Sequence, residues 1–303
     1  MAFNNDLEYN DTVDKIVSIQ FGLMSPEEII SRSVVEVKTN ETYNGNESVI
    51  EGLFDPRMGV LERGKICPTD ELDSSSCPGY FGHINLAVPV FYTHFIEKYV
   101  IKILECICFR CSKLKIDKDR IQQEIPNFLK LKGQSRMKAY HKKASTIYRC
   151  GEKCENGCQA KNPTKFIWSL KDSTQPKISK ILAEWKDSNK KDELGKNIIE
   201  KTSFSATMIL KILKRISDED IEILGFSRYW SRPEWMICTV LPVPPPCVRP
   251  SVSQDNSLRS EDDLTIKLME ILKTNNECKA KIESNNNNSE VLDSLVSLLQ
   301  WHI

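Results

Sequence analysis

The sequence predicts an α+β protein, with mixed helices and short strands, in which metal-binding cysteines brace irregular segments. Three observations predict it. Apolar residues recur at helical spacing in several separate stretches and alternate at strand spacing in another. Between them, residues 51–87 are rich in Gly, Pro and Ser and suit no regular element. Eleven Cys occur in 303 residues, and most fall into two groups along the chain.

Val13 to Phe21 (VDKIVSIQF) alternates apolar and polar residues, as a half-buried strand does. Ser25 then precedes Pro26, Glu27 and Glu28: an N-cap, a Pro in the first turn and acids at the positive end of a helix. Residues 31–38 read as strand and loop. After the irregular 51–87 segment, the pattern from Pro89 onward is helical. Phe91, Phe95, Tyr99 and Leu104 recur with Ile96, Val100 and Ile103, and the helix runs into Cys106, Cys108 and Cys111. Residues 112–149 are basic and polar, with helices expected. Residues 171–203 are highly charged and read as a surface excursion. Met208, Ile209, Ile212, Leu213 and Ile216 mark another helix, and Ser217 with Asp220 opens a short one. The run PVPPPCVRP (242–250) must be extended, because Pro lacks an N–H and fixes φ. Asp262 to Lys273 is helical. SNNNNS (284–289) is a polar loop, and a last amphipathic helix carries Leu298, Leu299, Trp301 and Ile303, expected to be uncovered.

Lys plus Arg and Asp plus Glu are both 42, so the formal net charge is zero. Bulk charge does not mark a nucleic-acid binder, and any such role must come from local patches. No run approaches the roughly 18 apolar residues that span a bilayer. The start, MAFNNDLEYNDTVDK, is acidic and is not a secretory leader. A reducing compartment is expected, where clustered Cys bind metal rather than pair as disulfides. Cys238, Cys247 and Cys278 stand alone and are expected to be buried as small hydrophobes.

The strongest chemical signal is Cys108-x-x-Cys111 with Cys150, Cys154 and Cys158 downstream. Two thiolates three apart grip a tetrahedral ion from a tight turn, and a second knuckle completes four ligands, as structural Zn²⁺ requires. No βαβ pattern surrounds the pair, which argues against a thioredoxin-like redox site. Cys67 and Cys77 form a weaker group, with Asp70, Tyr80 and His83 nearby.

Several motifs stand in order along the chain: IVSIQFGLMSPEEI (16–29), GLFDPRMG (52–59), CPGYFGHINLAVPVF (77–91), ECICFRCSKL (105–114), SRPEWMICTVLPVPPPCVRPS (231–251), EDDLTIKLMEILKTN (261–275) and the ending SLLQWHI. Together they resemble the N-terminal region of the largest subunit of multisubunit DNA-directed RNA polymerases, most nearly the eukaryotic polymerase II type. The resemblance covers nearly the whole chain.

The resemblance implies a clamp that swings over DNA and holds the RNA–DNA hybrid. It divides the chain into a clamp core with the first zinc site (1–88), a clamp head with the second (89–230), and a return to the core through the Pro-rich run, a lid and the last helix (231–303). It implies Cys108, Cys111, Cys150 and Cys158 as zinc ligands, with Cys154 in reserve. The first site departs from the family pattern Cys-x2-Cys-x6-Cys-x2-His, because Asp70 and Tyr80 stand beside Cys67 and Cys77. Arg249 and Arg259, flanking the lid, are candidate nucleic-acid contacts, and so is the basic run Lys130, Lys132, Arg136, Lys138, Lys142 and Lys143. Arg57 is expected to serve structure. The catalytic Asn-Ala-Asp-Phe-Asp-Gly-Asp motif, which holds Mg²⁺ in the complete polymerase, is absent from this sequence, so the chain carries no catalytic residue. The implied partners are DNA, the RNA–DNA hybrid, the remainder of the largest subunit, and the second-largest and smaller subunits, with no membrane. The implied location is intracellular: the nucleus, or a viral factory or virion. The alternative is a stand-alone zinc-containing nucleic-acid-binding module, or an inactive remnant.

Overall fold

The computed structural model describes residues 15–45, 47–155, 157–168, 180–191, 197–254, 258–284 and 289–303. It is an α+β mixture, as the sequence predicts. The first helix, α1 (Pro26–Arg32), begins where expected: the Ser25 side chain accepts from the Glu28 N–H at 3.0 Å. The segment before it differs. Residues 15–21 form no strand, and Ile16, Val17, Ile19 and Phe21 are exposed. Alternation alone does not make a strand. A ladder partner must take up the N–H and C=O groups, and among the described residues none does.

The segment after α1 buries Val35 and Val37 alongside the start of a later strand. Val34 N–H donates to Phe81 O at 2.9 Å and Val37 N–H to His83 O at 2.8 Å. A small ladder follows, β1 (Tyr43–Asn44) with β2 (Glu47–Ser48). The Gly- and Pro-rich stretch is organised around buried Asp55. Its carboxylate accepts from the Glu51 and Arg57 N–H groups at 2.6 and 3.0 Å, and from the Arg57 guanidinium at 2.9 and 2.7 Å. Burial pushes this carboxyl up, but those donors outweigh it and hold it below the usual carboxylate value. Arg57 therefore serves structure, as expected.

The helix read from Pro89 starts later. Residues up to Phe91 belong to a strand, β3 (Gly82–Phe91). The helix then runs through α2 (Thr93–Phe95), a π segment (Ile96–Val100) and α3 (Ile101–Cys106). Ile96, Val100, Ile103 and Leu104 form its buried face. Two helices, α4 (Lys118–Glu124) and α5 (Gly133–Ala144), fall in the basic stretch. An antiparallel sheet follows, β4 (Lys165–Trp168), β5 (Ile181–Lys191) and β6 (Asn197–Phe204), with β5 in the middle. The charged 171–203 stretch is thus more than a surface excursion, because it supplies most of two strands. Ile181, Ala183 and, just beyond the stretch, Phe204 face inward. Its low apolar content reflects a half-buried sheet, in which only alternate residues need be apolar.

Helix α7 (Asp218–Ile223) bears the predicted cap, and α6 (Ala206–Lys214) has one that sequence reading missed. Ser205 accepts from Met208 N–H, and Ser217 accepts from Asp220 N–H at 3.2 Å. Strand β7 (Ile237–Val243) pairs antiparallel with β3. The Pro-rich run begins at the end of β7 and, against its expectation of an extended chain throughout, makes a short 3-10 turn, Pro246–Val248. A small ladder, β8 (Val252–Gln254) with β9 (Leu258–Ser260), leads to α8 (Asp263–Glu283) and α9 (Ser289–His302).

Two apolar cores result. One gathers α3, α5, α6 and the three-stranded sheet; the other gathers Val35, Val37, Leu53, Met58, Leu268, Leu272 and Leu299. The β3–β7 pair is their seam. Phe91 sits opposite Ile237 and both join the first core, whereas Val90 sits opposite Cys238 and both join the second. Successive residues of a strand face opposite ways, so one ladder serves both cores. The last helix contradicts its expectation in part: Leu298 and Trp301 are exposed, but Leu299 is fully buried and Ile303 packs half-buried against the second core.

Among the described strands β3 pairs with β7 alone, and the register between them shifts between Asn85 and Val90. Two side-chain amides bond to β3 backbone groups. Asn275 on α8 accepts from Ala87 N–H at 2.8 Å and donates to Asn85 O at 3.0 Å. Gln300 on α9 accepts from Phe91 N–H and donates to Phe91 O, both at 2.6 Å. Gln300→Leu leaves both groups of fully buried Phe91 unpaired and should cost about 2–4 kcal/mol, read from the urea midpoint. A loss below about 0.5 kcal/mol would mean that water serves Phe91 instead.

Candidate metal centre

Two tight turns build the main cysteine site. In the first, Ile107 bridges Leu114, Cys108 N–H donates to Lys113 O at 2.9 Å, and Ser112 N–H donates to Cys108 O at 2.8 Å. Ser112 takes a left-handed conformation (φ 61°), which turns the chain sharply enough for Cys108 and Cys111 to face one point. Its hydroxyl is buried and donates to Ile212 O at 2.8 Å, fastening the turn to α6. In the second turn, Arg149 bridges Lys161 and Cys150 N–H donates to Ala160 O at 3.0 Å. Asn162 links the two: its Oδ1 accepts from Phe109 N–H at 3.3 Å.

The sulfurs of Cys108, Cys111, Cys150 and Cys158 all lie within 4.8 Å of one another. Cys108 and Cys158 are 3.5 Å apart, and Cys111 and Cys150 are 3.7 Å apart. Four sulfurs at ~2.3 Å from a tetrahedral ion stand ~3.8 Å from one another, so the donor set fits a metal. Cys154 is buried against the cluster but is not one of the four. For Cys158, burial opposes ionisation, but the Ala160 N–H and the three neighbouring thiols stabilise its thiolate and bring it to about 7. Burial instead pushes Cys108 up to about 11. A cation entering the site must displace the remaining protons. All eleven Cys are free of disulfides.

The second cluster is smaller. Cys67, Asp70 and Cys77 place one ligand atom each within 4.8 Å. Tyr80 is bonded to Asp70 rather than standing as a separate ligand. His83 is turned away, its Nδ1 at 2.7 Å from Ser33 Oγ. Of the isolated cysteines, Cys238 and Cys278 are buried as expected, but Cys247 is exposed.

A family model for RNA polymerase Rpb1, domain 1, matches residues 13–303. The chain belongs to that family. It is thus of the N-terminal region of the largest subunit of RNA polymerase, and its setting is a multisubunit polymerase acting on nucleic acid in transcription. Among its described residues no helix is long and apolar enough to cross a membrane.

The candidate nucleic-acid contacts of this Rpb1-family chain fare differently. Arg249 is corrected: it is fully buried, because its fork meets acceptors inside the fold. It donates to Pro244 O at 3.0 Å, to Thr265 Oγ1 at 3.4 Å and to Leu53 O, and lies over the Phe54 ring at 5.0 Å. Arg259 lies on β9 opposite Ser253, and its side chain is outside the described residues. In the basic run, Arg136 is spent on Leu131 O, Leu129 O and Glu222 O, and Lys143 pairs with Glu124 at 3.4 Å. Lys130, Lys132, Lys138 and Lys142 are exposed and in no ion pair among the described residues. Sequence reading missed Ser112, Asn162, Asn275 and Gln300. Each is a short polar residue whose partner lies about 50 or more residues away, and no local pattern marks it.

Proposed function

We propose that this chain is a zinc-braced clamp of the polymerase, which holds DNA and the RNA–DNA hybrid by their phosphates while other parts of the enzyme do the chemistry. The observation that carries the reading is the convergence of four thiols from two turns some 40 residues apart, in a chain of this family. An all-thiol tetrahedral set suits Zn²⁺ in a structural role, with no position left for substrate. Cys108, Cys111, Cys150 and Cys158 hold the ion; the first turn anchors on α6 through Ser112, and Asn162 ties the second turn to the first. The division into clamp core (1–88), clamp head (89–230) and core return with lid (231–303) belongs to the same reading. Mg²⁺ and nucleotidyl transfer fall to residues outside this sequence, which lacks the aspartate-rich motif. The work is done where the template is, in the nucleus or in a viral factory. The second-largest and smaller subunits are its neighbours there.

A clamp must move over every sequence, so it touches phosphate and reads no bases. The exposed Lys130, Lys132, Lys138 and Lys142 supply the contacts. With zero net charge, the chain alone should bind duplex and hybrid weakly and without sequence preference. Four phosphate contacts give a slope of log affinity against log salt of about −3.6 on duplex. Changing all four Lys to Gln should remove most of that slope. Tight binding to one sequence would point to a stand-alone specific binder.

A further inference from the structure

We propose that the Cys67–Tyr80 turn holds no metal ion and is closed instead by hydrogen bonds centred on Asp70. The resemblance implies a second zinc here, and the donor set does not fit one. A structural zinc takes four ligands. Cys67, Asp70 and Cys77 offer three. At the fourth corner stands the Tyr80 phenol, which donates to Asp70 Oδ2 at 3.1 Å. A phenol that gives its proton to a carboxylate is occupied as a donor, and to bind a cation it would have to lose that proton and the bond together.

Asp70 is equally occupied. Its Oδ1 accepts from Leu72 N–H at 3.0 Å, and the sulfurs of Cys67 and Cys77 stand close to it, one ligand atom of each residue within 4.8 Å of the others. Both oxygens of the carboxylate are thus engaged as acceptors, one from a phenol and one from a backbone N–H, and an ion bound here would have to displace those bonds.

The backbone of the turn is also complete without an ion. Cys67 N–H donates to Leu72 O, Glu71 N–H to Cys67 O and Cys77 N–H to Asp73 O, each at 2.9 Å. Tyr80 N–H reaches Met58 O at 2.9 Å, and Thr69 Oγ1 donates to Arg57 O at 2.6 Å, which docks the turn on the Asp55–Arg57 corner. No buried side-chain donor or acceptor here lacks a partner among the described residues. Cys247 is the nearest further thiol; it is exposed, donates to Pro78 O at 3.4 Å and is outside the three-ligand group. By contrast, the Cys108 and Cys158 sulfurs, and those of Cys111 and Cys150, bond to each other, an arrangement that a cation would relieve.

Native mass spectrometry of the whole chain, purified without chelator, counts the ions, and zinc-edge X-ray absorption of the same sample reads their ligands. The expected result is one zinc with a first shell of sulfur alone. Two zincs, or oxygen in the shell, would overturn the proposal. No zinc at all upholds it for this turn while sinking the zinc reading of the four-thiol centre, so the two failures are distinguishable. Cys67→Ser with Cys77→Ser should leave the count at one, and so should Cys247→Ser; loss of the ion from either overturns the proposal. The converse variant, Asp70→Cys with Tyr80→His, supplies the missing ligands and should raise the count to two. A count still at one in a folded variant would show that Asp70 and Tyr80 are not what closes the turn to metal.

Discussion

Cys150→Ser should release the ion from the four-thiol centre and unfold the two turns that carry it. The reason is how little apolar packing surrounds the four thiols themselves. The apolar cluster at the site consists of Cys108, Cys150 and Cys154, with Cys111, Cys158 and Ala160 at its edge, and no large side chain belongs to it. Structural zinc contributes on the order of 10–16 kcal/mol to small domains at neutral pH, which exceeds the stability of most whole domains. Three ligands cannot keep that figure. Zinc release to a chromogenic chelator should become fast, and amide protection should fall across 108–113 and 150–160, around the thiols. The first core should survive in part, because α3, α5 and α6 pack on one another and on the sheet. Cys154→Ser is the control. Cys154 is buried beside the cluster without joining it, so its substitution should keep the ion and cost about 1–2 kcal/mol. The opposite pattern, metal lost with Cys154 and kept without Cys150, would overturn the ligand assignment.

Arg249→Met should destabilise the second core by about 3–5 kcal/mol, the cost of leaving buried polar partners unpaired. The guanidinium joins three segments: Leu53 in the Gly-rich stretch, Pro244 in the Pro-rich run, and Thr265 at the start of α8. Removing it strands the carbonyls of Leu53 and Pro244. Burial brings the guanidinium down to about 10, so it stays charged at neutral pH. Arg249→Lys should lose most of the same stability, because one ammonium cannot reproduce a planar fork that reaches three acceptors and stacks on Phe54. Urea titration measures both. A change below about 1 kcal/mol in Arg249→Met would mean that the side chain is not held inside, and would restore it as a candidate for phosphate contact.

Wherever one short window held the whole cause, the structure was legible in the sequence. Ser25 with Pro26 and Glu28, and Ser217 with Asp220, state a helix start completely, since the cap hydroxyl and the N–H that donates to it lie three residues apart. The four clustered thiols were legible for a related reason. Cys108 and Cys111 sit in one turn, and thiols clustered on either side of a 38-residue interval have few alternatives. Residues 15–21 and 171–203 misled in opposite directions. The first alternates without a partner strand; the second has partners but few apolar residues to announce them. Strand formation depends on the neighbour as much as on the segment.

The amino-acid sequence by itself determined the α+β class, the helix starts and the cysteine constellation, and through its ordered motifs the family. Those rest on contacts between near neighbours or on residue types with few uses. Only the tertiary structure decided that Arg249 points inward, that Asn275 and Gln300 bond to the free edge of β3, and that Asp70 gathers the donors of the Cys67–Tyr80 turn. The last is a local turn whose centre no spacing names; the others join residues from different parts of the chain. A side chain's partner is set by which groups arrive beside it once the chain has folded, and a polar residue reads the same in sequence whether water or a buried carbonyl awaits it.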